Sequence, residues 1–332
     1  MVESISVLVL NFNGMDLLRQ VMPPIQAMAV NCGFPTRVCV VDNSSTDDSV
    51  NWLRANSPQA EVIVRPNDYL FSLNSVAQAD RSSHILFLNN DVIPQPDSLC
   101  RLAAHFNDPE VFAVSPKLLC WDRVTPNSSR RVGTYVRGFF HHWNDFESEE
   151  PCPTLFPIGG AFLVSRERFL ALGGFDPLYW PYFYEDVDLG YQAWARGWKV
   201  IYDPTSIVYH KSSASLDAFE GSARQRRAEV RNNMLCTWKN ADSATLRLHL
   251  SRLLRRVAGA ALHGDAEFLR CWLGAMRRIR PAAGSRRECA TTRVRTDAEI
   301  FSIACSRDAW SDAFEPQADP ANAVLTARRS LP

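Results

Sequence analysis

The sequence predicts an α/β protein built on a doubly wound sheet, followed by a basic helical extension. Three observations carry this. Four apolar, β-branched runs near the amino terminus each end in a polar loop and lead into a helix-like pattern. The acids and amides that follow those runs fall at the carboxyl ends of the strands, where open α/β sheets bind ligands. After residue 220 the composition turns strongly cationic and helical, with seventeen Lys/Arg against five Asp/Glu from Arg224 to Arg295.

The elements follow in order. Ile5 to Leu10 reads as a buried parallel strand and ends in Asn11-Phe12-Asn13-Gly14, before a helix from Met15 to Met28. Arg37 to Val41 is a second strand ending at Asp42, with a helix over Ser49 to Ala55. Glu61 to Val64 is a third, followed by Asn67-Asp68 and a helix through Ser75 to Ala79. His84 to Leu88 is a fourth, closed by Asn89-Asn90-Asp91. Pro96 to Phe106 continues as helix and Val111 to Val114 as strand. Residues 120–157 lose periodicity, which suits a binding loop or lid; His141 and His142 are expected there as exposed loop residues, since adjacent side chains diverge. Leu155 to Ser165 brings Gly159 and Gly160 into a strand-like stretch, and Val200 to Tyr202 and Ile207 to Tyr209 read as two further strands. Residues 1–220 therefore form the main unit (halves of about 1–118 and 119–220), 221–295 a helical extension, and 296–332 a loosely ordered tail.

The whole chain of 332 residues has zero formal net charge, so nothing global points to nucleic acid. Nine scattered cysteines show no metal-binding spacing and read as reduced thiols in a cytoplasmic setting. No apolar run is long enough to cross a bilayer. No GxGxxG follows the first strand and no GxxxxGK[ST] occurs, so a nucleotide site must work through Asp and Asn side chains.

The stretch Trp180 to Gly197, WPYFYEDVDLGYQAWARG, places Glu185, Asp186 and Asp188 at the start of a helix, behind four aromatics. Clustered carboxylates against aromatic walls suit a general base in a semi-dry pocket. An ordinary acidic helix start, favoured by the helix dipole, reads the same way.

The segments SVLVLNFNG, VCVVDNSSTDDS, ILFLNNDV, GGAFLVSRERFLALGGFDP, YEDVDLGYQAWARGWKV and VYHKSSAS occur in this order. Together they resemble family 2 glycosyltransferases of the GT-A fold, in the bacterial rhamnosyltransferase-like branch, over about residues 4–215, with a weaker echo in RNNMLCTWKN. The resemblance implies a mixed GT-A sheet and an inverting, metal-dependent transfer from a nucleotide-diphosphate sugar to a glycan or lipid-linked acceptor in cell-surface polysaccharide assembly. It implies Asp186 as general base and Asp91 with His210 as ligands for Mg²⁺ or Mn²⁺. Asn11, Asp42, Asn67, Asn89 and Asn90 are expected on the donor, and Gly160, Trp180 and Glu185 in the acceptor and sugar pocket; Asp188 is read as structural. One departure is plain: after Asn67 the family's glycine-rich stretch is replaced by Asp68-Tyr69-Leu70-Phe71-Ser72. A sugar nucleotidyltransferase would need a Gly-rich basic loop after the first strand, and NFNGMD is not one; a binding module without turnover is the non-enzyme alternative. The basic helices suit either peripheral contact with the inner face of a membrane or a solvated appendage packed on the catalytic unit or a partner.

Overall fold

The computed structural model describes residues 1–211 and 222–305. Its centre is a ten-stranded mixed sheet. Strands β1 (Ile5–Asn11), β2 (Thr36–Asp42), β3 (Glu61–Val64) and β4 (His84–Asn89) are parallel, with Asn11 beside Asp42 and Leu10 beside Asn89. Beyond β4 lies β11 (Ala161–Ser165), antiparallel to β4 and to β6 (Val111–Cys120). Strand β12 (Lys199–His210) then runs parallel to β6, while the short β5 (Val92–Pro94), β7 (Pro126–Ser128) and β10 (Cys152–Pro153) pair at the margins.

Alternation along each strand divides the core into two layers. Val7 and Val9, Val38 and Val40, and Leu86 and Leu88 face helix α1 (Met15–Asn31) and helix α4 (Ser98–Ala104). Leu8, Cys39, Val41, Ile85 and Phe87 face the opposite layer. That layer contains helices α3 (Ser72–Ala79), α5 (Arg166–Ala171) and α6 (Glu185–Ala195); the short α2 (Ser49–Asn56) lies at the margin beside α1.

The extension forms α7 (Ser222–Asn240), α8 (Ser243–His263), α9 (Ala266–Met276) and α10 (Ile279–Thr292). It is no solvated appendage: Met234, Leu235, Trp238, Leu253 and Ala275 join the same buried layer as α6.

Several sequence expectations change. Residues 130–145 form a hairpin, β8 (Arg130–Val136) and β9 (Phe139–Asp145), rather than a lid. His141 and His142 lie on β9, and His142 packs on Phe156 and Tyr184 instead of standing in solvent. Gly159 and Gly160 sit in a turn before β11. The two expected strands near residues 200–209 are one strand, with a register shift between Asp203 and Ile207. Within the expected loose tail, Asp297–Cys305 is helix α11, because Ile300 and Ala304 bury themselves in the core. Residues 306–332, and the serines that end the VYHKSSAS motif, lie outside the described residues.

Candidate active site

The strand ends converge, as the register dictates, but their side chains divide into two sets. Asn11 is fully buried; its Nδ2 donates to Asp42 Oδ2 at 2.8 Å, and Asn90 Nδ2 donates to Asn11 Oδ1 at 2.7 Å. Asp42 also accepts from the Ser45 amide and hydroxyl. Gly14 lies so close that a Cβ there would meet Asn90 Nδ2 at 2.2 Å. Asn11 and Asp42 thus hold the strand ends together beneath the site and do not reach its wall, where they were expected. The adjacent Asn43 does: its Nδ2 donates to the Tyr69 carbonyl at 2.7 Å, and its buried Oδ1 has no hydrogen-bond partner among the described residues.

Above these strand ends lies a cavity of about 800 Å³. Asn43, Asn67, Asn89 and Asn90 line one side and Glu185 and Asp186 another, with Gly160 and His210 also on the wall. Five buried polar atoms of residues on this wall have no hydrogen-bond partner among the described residues: Asn43 Oδ1, Arg131 Nε, His142 Nδ1, Tyr182 OH and Glu185 Oε2. Unsatisfied buried groups are costly in a finished core, so their convergence marks a place built for a polar ligand.

The aromatic–acidic stretch delivers the carboxylates through an unusual turn. Phe183 and Tyr184 take left-handed backbone angles, φ 71° and 77°, just before α6 begins. Each such residue costs roughly 1–3 kcal/mol unless its surroundings hold it. Asn232 of α7 supplies the hold: buried completely, its Nδ2 points at the carbonyls of Tyr179, Tyr182 and Phe183 at 2.8–2.9 Å. Asn233 donates to Phe140 O and to the Tyr184 hydroxyl. Asp188, also fully buried, accepts from Tyr179, Gln192, Lys239 and Asn240, which bears out its structural reading.

Asp186 Oδ1 accepts from the Val187 amide at 2.8 Å, and Gly159 lets the backbone pass so close that a Cβ would meet Asp186 Oδ2 at 3.1 Å. Burial pushes the Asp186 carboxyl above its ordinary range, and the nearby Arg131 cation opposes that rise. Burial, and then repulsion from Asp186, push Glu185 up to about 8. Burial and Arg131 together pull His142 down to about 4, so its ring is neutral at physiological pH. Arg131 went unnoticed in the sequence, and His142 was expected in solvent, because the hairpin that carries them has no clean alternation.

The two residues expected to hold a metal lie side by side. His210 Nε2 stands 3.4 Å from Asp91 Oδ1, an oxygen that is buried and has no hydrogen-bond partner among the described residues. When His210 Nδ1 donates to Asn127 Oδ1, 3.1 Å away, the Nε2 lone pair faces that oxygen. Two such donors side by side suit a hard cation that completes its shell with water and phosphate oxygens. Among the described residues no group of three or more His, Cys, Asp or Glu is placed for a metal.

The glycine-free loop after Asn67 has its own geometry. Tyr69 takes φ 53°, and its ring packs edge-on against Trp180 and Tyr182 at 5.7 and 5.9 Å. Trp180 Nε1 donates to Asp68 Oδ1 at 2.9 Å. Trp180 therefore braces this loop at the rim and does not line the cavity, where it was expected.

Known proteins place this geometry. An N-acetylglucosaminyl-diphospho-decaprenol L-rhamnosyltransferase of Mycobacterium tuberculosis is 28% identical over 218 residues, covering 54% of this chain and 68% of that protein. An uncharacterized protein of Sinorhizobium fredii is 27% identical over 72% of this chain and 28% of its own length. Among solved structures, GalNAc-T7 with UDP, GalNAc and Mn²⁺ superposes with a TM-score of 0.58 at 16% identity, covering 73% of this chain and 49% of that one. S. aureus TarS superposes at 0.52 and 14% identity, covering 90% and 89%. These likenesses show the GT-A fold. Residues 3–232 match the family described as glycosyltransferase-like family 2, and the chain belongs to that family.

Proposed function

We propose that the chain transfers a sugar, with inversion, from a nucleotide-diphosphate donor to a hydroxyl of a glycan or lipid-linked acceptor in cell-envelope polysaccharide assembly. The observation that carries this is the cavity itself, with Asp186 and His210 on its wall and Asp91 beside His210. The name of the mycobacterial relative supports a rhamnosyl donor and a lipid-diphosphate acceptor. The reaction belongs on the cytoplasmic side, at the inner face of the membrane.

In this reading Asp186 takes the proton from the acceptor hydroxyl as its oxygen bonds to the anomeric carbon. The bond from that carbon to the diphosphate breaks, and the nucleoside diphosphate leaves with the electron pair. The raised Asp186 makes a better base than an ordinary carboxylate, and the Arg131 cation favours its ionised form against the burial. Asn43, Asn67, Asn89 and Asn90 supply polar contacts for the donor from the strand-end side of the cavity. Asp91 and His210 would hold Mg²⁺ or Mn²⁺, whose charge would offset that of the leaving diphosphate.

The test is a thermal-shift screen against UDP, GDP, dTDP and CMP with and without Mn²⁺. A metal-dependent shift for one nucleotide, retained in Asp186→Asn while turnover falls about 10²–10⁴-fold, supports the reading. A flat response in folded protein overturns it.

A further inference from the structure

We propose that the outward face of helix α8 is a docking surface for an anionic lipid bilayer, which brings the cavity to acceptors anchored in that bilayer; the second clause rests on the transferase reading.

Helix α8 carries Arg247, Arg252, Arg255 and Arg256 and no Asp or Glu. Its inner side is settled, since His249, Leu253 and Ala260 are buried against the rest of the chain. Among the described residues nothing covers the outer side. Leu250, Leu254 and Leu262 are 43%, 71% and 79% exposed, and with Ala258 they fall every fourth residue along one stripe. Arg247 and Arg255 lie on the same outward arc, and Arg252 flanks it. Arg256 is occupied by Asp265 and by the Phe268 ring, but Arg247, Arg252 and Arg255 make no ion pair among the described residues.

Single exposed leucines are ordinary, whereas an apolar stripe set among unpaired arginines is the pattern of a helix lying in a membrane interface. Its charge identifies the occupant. Two copies of this face would set arginine against arginine, because the helix offers no carboxylate in return. A neutral bilayer leaves the cations without partners. An anionic bilayer meets both features, taking the leucines among its acyl chains and the guanidinium groups among its phosphates. No helix among the described residues is long and apolar enough to cross a membrane, so the contact is peripheral.

A second group of exposed apolar residues is tied to the cavity wall. Leu273, Met276 and Ile279, at the far end of α9 and the start of α10, are 48%, 37% and 45% exposed. Between them, Arg278 Nη1 donates to the carbonyls of Leu178 and Trp180. Trp180 immediately precedes Pro181 and Tyr182 of the cavity wall.

The experiment is co-sedimentation of the full chain with vesicles of phosphatidylcholine, with and without phosphatidylglycerol, across a salt series. Binding is expected only to the anionic vesicles and should weaken with salt. Each arginine-to-serine change among Arg247, Arg252 and Arg255 should weaken binding about fivefold, and the triple variant roughly a hundredfold. Leu254→Asn with Leu262→Asn should weaken it as well. These exposed positions tolerate substitution, and circular dichroism with nucleotide thermal shifts confirms folding. Absence of vesicle binding by the unmodified chain, equal binding by the variants, or self-association through this face in place of lipid binding overturns the proposal. Nucleotide binding reports on the transferase reading separately, because none of these residues lines the cavity.

Discussion

Lys239 Nζ lies 2.7 Å from Asp188 Oδ2, with both side chains buried, and so joins the helical extension to the helix that carries Asp186. Burial alone would discharge this lysine, but Asp188 and Asp176 more than offset it and hold the ammonium form. A paired buried charge of this kind adds little by itself, yet removing one partner strands the other.

Lys239→Met is therefore expected to destabilise the chain by about 3–5 kcal/mol. Urea unfolding measures this. Adding Asp188→Asn to Lys239→Met should recover part of the loss, because the stranded carboxylate is then gone. Additive losses would contradict the coupling.

Asp186 must be ionised to act, and its carboxyl is raised by burial against the opposing Arg131 charge. The rate kcat/KM should therefore fall as pH drops through a range above that of ordinary carboxylates. Arg131→Leu should move this acid limb to higher pH, and Arg131→Lys should restore it. A merely structural role for Arg131 would lower activity at every pH and leave the limb in place.

His249 ties α8 to the hairpin: its Nδ1 donates to the Gly138 carbonyl at 2.8 Å, and its Nε2 accepts from Trp238 Nε1 at 3.1 Å. Accepting from an indole requires the neutral ring, and burial lowers this histidine despite the Gly138 bond. Its contribution to stability is complete above the unfolded value of 6.5 and is lost as pH falls through the lower folded value. The urea midpoint should decline below that pH more steeply in the unmodified chain than in His249→Gln. Parallel curves would exclude the link.

If Asp91 and His210 hold the metal, then Asp91→Asn and His210→Ala should each abolish the Mn²⁺-dependent part of the nucleotide thermal shift. Any metal-independent part should survive, since Asn43, Asn67 and Asn89 remain in place. A metal response preserved in both variants would put the cation elsewhere.

The parallel strands were legible because strands buried on both faces must be apolar throughout. Asp186, Asp91 and His210 came from motif resemblance, which orders residues along the chain, and the fold brings Asp186 and His210 to one cavity with Asp91 next to His210. Asn11 and Asp42 show where that logic stops. A strand's last residue can be named from the sequence, but whether it turns toward a ligand or toward the next strand depends on its neighbours, here Asn90 and Ser45. Asn232 and Lys239 were hidden for a different reason. Polar residues in a cationic helix read as solvated, and their partners lie about fifty positions away. Tyr69 filled a place where glycine was expected, and only the fold shows that it builds an aromatic wall there.

The reach of α7 into the catalytic turn also bears on how this protein can be dissected. Similarity to the family stops at residue 232, which makes that position an inviting cut. A fragment ending there would keep Asn232 at its frayed last residue and lose Asn233, Lys239 and Asn240, leaving Asp188 with two of its four donors. The stretch recognisable by descent is thus shorter than the stretch needed to hold Asp186 in place, and any minimal active fragment has to extend past residue 240.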